Sequence, residues 1–132
     1  MVSPARIFRC YQENNPASLL NLIEDLNFHE IEIKLCELKL EKLTIDYQEN
    51  ILVQKQVEHF QNQFLIQQNN INNLKQKIRR LWSLAKIAAL PRAGKDSRLY
   101  QVLSDEINGF EASLTDLLLD FEDFSTTWLS LR

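Results

Sequence analysis

Residues 28–90 read FHEIEIKLCELKLEKLTIDYQENILVQKQVEHFQNQFLIQQNNINNLKQKIRRLWSLAKIAAL, without a single glycine or proline. Leu, Glu, Lys and Gln dominate this stretch, and all are good helix formers. Ile31, Ile33 and Leu35 alternate with Glu32 and Lys34, which is a strand period. No turn residue follows to close a hairpin, so the helical reading prevails. Alternating steps of three and four pick out Ile33, Cys36, Leu40, Leu43, Tyr47, Val57, Phe64, Ile71, Ile78, Trp82, Ala85 and Ala89. The same steps meet polar exceptions at Asn50, Gln54, Gln61, Gln68 and Lys75. A second stripe (Ile31, Leu35, Leu38, Ile45, Leu52) widens the apolar face, as a helix with two neighbours requires. The spacing predicts one continuous helix over 28–90. Breaks at Asn69-Asn70 or Asn72-Asn73, inside an Asn/Gln-rich tract, are the alternative. Amides in the seam either fix register when buried or mark a solvated stretch.

Working outward, Asn15 and Pro16 form a helix start, a capping side chain followed by a proline whose missing N–H costs nothing there. Leu19, Leu20, Leu22, Ile23 and Leu26 then make a short helix over 16–27, preceded by an irregular arm over 1–15. On the other side, Leu90-Pro91-Arg92-Ala93-Gly94-Lys95 reads as a turn, with Gly94 taking the left-handed conformation. Asp96 or Ser97 caps a last helix over 96–131. Its heptad is Tyr100, Leu103, Ile107, Phe110, Leu114, Leu117, Phe121, Phe124, Trp128 and Leu131. Gly109 inside this helix costs about 1 kcal/mol against alanine, and a closely approaching backbone would explain it.

The expected fold is all-α, an elongated antiparallel helical hairpin or coiled coil with a short N-terminal helix, in one domain over 16–132. Ile78, Trp82, Phe110, Leu114, Leu117, Phe121 and Trp128 close the hairpin. Its arms, about 90 Å and about 50 Å at 1.5 Å per residue, do not match. The longer arm outruns its partner, leaving Leu35, Leu38, Leu40, Leu43, Ile45 and Leu52 as a seam for another chain.

Composition excludes most catalytic architectures. Two glycines and three prolines in 132 residues leave no glycine-rich phosphate cradle or nucleophile elbow. Ala93-Gly94-Lys95-Asp96 lacks the first glycine and the Ser/Thr of a Walker loop. Glu-x-x-His is absent, since Gln56 precedes His59 and Leu26 precedes His29 at that spacing. His29 and Cys36 stand too far apart to chelate alone. No catalytic residue, metal ligand or cofactor is expected. Cys10 and Cys36 read as free thiols of a reducing compartment, with a disulfide as the alternative. No apolar run suits a signal peptide or a membrane span, so a cytoplasmic protein is expected.

The net charge of −3 conceals segregation. Bases cluster around the turn at Lys75, Lys77, Arg79, Arg80, Lys86, Arg92, Lys95 and Arg98, while the last helix is acidic. The arms then complement one another and fix the antiparallel pairing. The sharper reading is a basic tip that binds an acidic partner. Nucleic acid is not expected, because the chain is acidic overall and its aromatics lie on the apolar seam.

Lys39-Leu40-Glu41-Lys42, Gln54-Lys55, His59, Lys77-Ile78-Arg79-Arg80, Leu90-Pro91 and Tyr100 resemble, in order and spacing, the second subunit of the augmin (HAUS) complex. The resemblance covers roughly residues 30–120. It implies a non-catalytic coiled-coil subunit of an assembly that binds spindle microtubules and recruits γ-tubulin ring complexes. The motif residues would then be packing positions. The expected partners are other helical chains, a hetero-oligomer first and a homodimer second. A self-assembling helical-bundle regulator acting through the tip 75–98 is the alternative function.

Overall fold

The computed structural model describes residues 16–87 and 93–129. They form α1 (Pro16–Asp46), α2 (Ile51–Ile87) and α3 (Ala93–Leu129), an all-α arrangement. Glu30 meets Lys75 and Glu37 meets Gln68, so α1 and α2 are antiparallel. Lys77 meets Glu106 and Gln67 meets Ser113, so α2 and α3 are antiparallel as well. His29–Glu111 and Tyr47–Trp128 then join α1 and α3 as parallel neighbours.

The expected helix bounds need correction in two places. Pro16 opens α1, but no break follows Asn27. The inner face of α1 continues at three-four spacing through Leu19, Leu22, Leu26, His29, Ile33, Cys36, Leu40 and Leu43. The chain turns instead at residues 47–50, and neither asparagine pair in the Asn/Gln tract breaks α2. The turn closes without glycine. Asn50 Oδ1 accepts the Val53 backbone N–H at 3.1 Å, capping α2. The Gln54 side-chain amide donates to the Tyr47 carbonyl at 2.7 Å and the Thr44 carbonyl at 3.3 Å, satisfying the last carbonyls of α1.

Beyond this turn, alternate seam positions of α2 move by one residue. The buried positions of α2 are Val53, Val57, Phe60, Phe64, Gln67, Ile71, Leu74, Ile78 and Leu81. Val57, Phe64, Ile71 and Ile78 keep their expected places, while Val53, Phe60 and Gln67 are buried in place of Gln54, Gln61 and Gln68, so two of these three polar exceptions give way to apolar residues. Lys75 is a genuine one, since both it and Leu74 are buried. A helix lying between two neighbours buries adjacent positions in this way.

The supposed mismatch of arms also disappears. α1 has 31 residues, and α2 and α3 have 37 each, about 45 Å and about 55 Å. α1 folds back along α2, so no arm projects alone. One core joins all three helices, and within it Phe60 and Phe64 of α2 meet Phe121 and Phe124 of α3 in ring contacts with centroids 5.1–6.3 Å apart. Edge-on and stacked contacts at these distances add to simple area burial.

α3 begins at Ala93, so Gly94 stands in its first turn rather than in a left-handed connection. A helix N-terminus tolerates glycine. Residues 88–92, including Pro91 and Arg92, lie outside the described residues, as do the arm over 1–15 with Cys10 and the terminal Leu131. A Cβ at Gly109 would meet nothing within 4 Å, which overturns the close-approach explanation for this glycine.

Candidate partner-binding surface

α1 carries apolar side chains on two opposite faces. Each residue turns a helix by about 100°, so Ile31 and Ile33 point some 200° apart, and Leu35 returns to the face of Ile31. This geometry produces the strand-like alternation in the sequence. On the inner face, Ile33, Leu40 and Leu43 are completely buried and Cys36 is half-buried. Leu20, Phe28, Ile31, Leu35, Leu38 and Ile45 line the outer face and remain 44–61% exposed. A soluble helix packed on one side normally carries polar residues on the other.

The expected seam therefore divides. Leu35, Leu38, Ile45 and Leu52 are exposed, Leu52 at 72% beyond the turn. Leu40 and Leu43 are not available to another chain, because both are buried in the core of the bundle. Sequence reasoning missed Phe28 and Leu20 as members of the outer stripe. The signal was the three-four spacing of Phe28 with Ile31, Leu35 and Leu38, and the position of Leu20 about two helical turns before Phe28.

Of the expected hairpin core, Ile78, Phe110, Leu114, Leu117 and Phe121 are buried, while Trp82 and Trp128 are half-buried. Trp128 closes the end of the bundle, where the Tyr47 hydroxyl donates to its carbonyl and the two rings meet edge-on at 5.4 Å.

The basic tip is less uniform than its sequence. Lys75 does not belong to it. This side chain is buried and bonds Glu30 at 2.8 Å across the α1–α2 contact, which holds the Glu30 carboxyl below its ordinary range. Lys77 pairs with Glu106 of α3 at 2.6 Å, and Arg79, Arg80 and Arg98 are exposed. The side chains of Lys86 and Lys95 lie outside the described residues. Beside the arginines, exposed Leu84, Leu99 and Val102 line a shallow groove between α2 and α3, which the charge pattern did not reveal.

Where α1, α2 and α3 meet, the interior is polar at selected points. His29 is 2% exposed, and its Nδ1 and Nε2 bond Glu32 at 2.7 Å and Glu111 at 3.1 Å. Burial opposes the charged imidazole, but the two carboxylates outweigh it and raise the His29 pKa. Gln67, also buried, donates to Ser113 at 3.0 Å. Burial pushes the Cys36 thiol up to about 11, so it stays protonated at neutral pH and is a poor nucleophile. Among the described residues, no group of three His, Cys, Asp or Glu is placed to hold a metal ion, and no helix is long and apolar enough to cross a membrane. Comparison with known proteins finds no matching protein-family model, no matching curated protein and no matching solved structure.

Proposed function

We propose that the chain is a non-catalytic structural subunit that assembles with helical chains through the outer face of α1. One observation carries this reading: six large apolar side chains stay exposed on that face although the opposite face already supplies the core. Contiguous apolar surface of this kind marks a protein–protein contact. The residues resembling the augmin second subunit extend the proposal to a spindle-microtubule assembly that recruits γ-tubulin ring complexes. The test is Leu35→Asp/Leu38→Asp in the full chain, followed by circular dichroism and by co-elution with its assembly. Helicity should be unchanged while incorporation is lost. Unchanged incorporation contradicts the reading. A second reading is favoured by Arg79, Arg80 and Arg98 beside exposed Leu84, Leu99 and Val102, a surface suited to an acidic amphipathic segment. Arg79→Glu/Arg80→Glu should then abolish binding of such a segment with helicity retained, and retained binding contradicts it.

A further inference from the structure

The outer stripe of α1 has a symmetry that identifies its occupant. Taken at three-four spacing, its positions are Glu24, Phe28, Ile31, Leu35, Leu38 and Lys42, and Glu24 and Lys42 are both exposed. Reversing this order exchanges Glu24 with Lys42, Phe28 with Leu38, and Ile31 with Leu35. Charge thus maps onto opposite charge and apolar onto apolar. We infer that the stripe docks onto α1 of a second copy, antiparallel, about a two-fold axis beside residue 33. This rests on the reading of the stripe as an assembly surface and names its partner.

Other pairings are worse. A parallel, in-register dimer sets Glu24 against Glu24 and Lys42 against Lys42. Sliding the antiparallel pair by one heptad places Lys42 against Ile31, or Glu24 against Leu35. Burying an unpaired charge against an apolar side chain is costly. In the inferred register, four apolar layers lie between two Glu–Lys layers over about 27 Å, and isologous contact is the usual form of a homodimer. Beyond the charged layers, Ile45 of one copy comes opposite Asn21 of the other, with Leu20 next to that asparagine. At the rims, Asp25 comes opposite Lys39 twice. Glu32 and Lys34 each meet their own copy on opposite rims, and the Glu32 carboxylate is bonded to His29 at 2.7 Å.

Sedimentation of the full chain and directed cross-linking test the inference together. Wild-type chain should form a concentration-dependent dimer in the micromolar range. Glu24→Lys and Lys42→Glu should each weaken it, by about tenfold for two opposed surface charge contacts, and the double exchange should restore it. In a Cys10→Ser/Cys36→Ala background, Glu24→Cys mixed with Lys42→Cys should form a disulfide dimer. Neither variant should cross-link to itself, because like positions are about 27 Å apart. Cross-linking of like with like overturns the antiparallel register. A pure chain that stays monomeric, yet loses a heterologous helical partner on Leu35→Asp, overturns the second copy as occupant and leaves the assembly reading intact. If Leu35→Asp/Leu38→Asp changes neither self-association nor complex formation, both readings fall.

Discussion

His29 ties α1 to α3 by a buried imidazole held between Glu32 and Glu111. Because its pKa is raised above 6.5 in the folded chain, the stabilisation is complete below that pH and is lost as pH rises through the folded value. Urea denaturation midpoints should therefore fall between pH 6 and pH 9 for the wild type, and His29→Gln should flatten that decline. An equally steep decline in His29→Gln would assign the pH dependence elsewhere. Gly109 offers the opposite case, a residue whose helix propensity is poor and whose surroundings are open. Gly109→Ala should stabilise the chain by about 0.5–1 kcal/mol in thermal denaturation, since nothing has to move to admit the methyl group.

At the scale of elements, α1 explains both the success and the limit of sequence reasoning. Its start at Pro16 and the three-four spacing of Leu103 to Phe124 in α3 were legible, because each follows from a local rule that packing did not override. The turn at 47–50 was not, because it uses neither glycine nor proline. Its signals were the Asn50 side chain facing the Val53 N–H and the Gln54 amide reaching back to carbonyls, and both residues looked like faults in a continuous heptad. Carrying the heptad through the turn kept Val57, Phe64, Ile71 and Ile78 in place, displaced the alternate core positions of α2 by one residue, and merged the two faces of α1 into one. Hence Leu35 and Leu38 were read correctly as outward, but Leu40 and Leu43 were grouped with them. Asn50→Ala should cost about 1 kcal/mol through loss of the cap, measurable by denaturant titration. Leu40→Ala should cost about 2–5 kcal/mol as a core truncation, whereas Leu35→Ala in the isolated chain should stay within about 0.5 kcal/mol.

At the scale of the whole molecule, the three helices of the described residues form a bundle with one apolar face more than its core uses. Two of its interhelical ion pairs, Lys75–Glu30 and Lys77–Glu106, bind the middle of the chain to each neighbour, so part of the charge segregation serves the fold itself. The apolar face left over on α1 is what the fold does not use, and it points outward along most of that helix. The most direct measurement pairs the thermal unfolding of Leu35→Asp/Leu38→Asp with its sedimentation, beside the wild type. The account predicts unchanged helicity and a monomer whose midpoint no longer depends on protein concentration. A collapse of helicity comparable to that of Leu40→Asp would contradict it, because it would place the outer stripe inside the core.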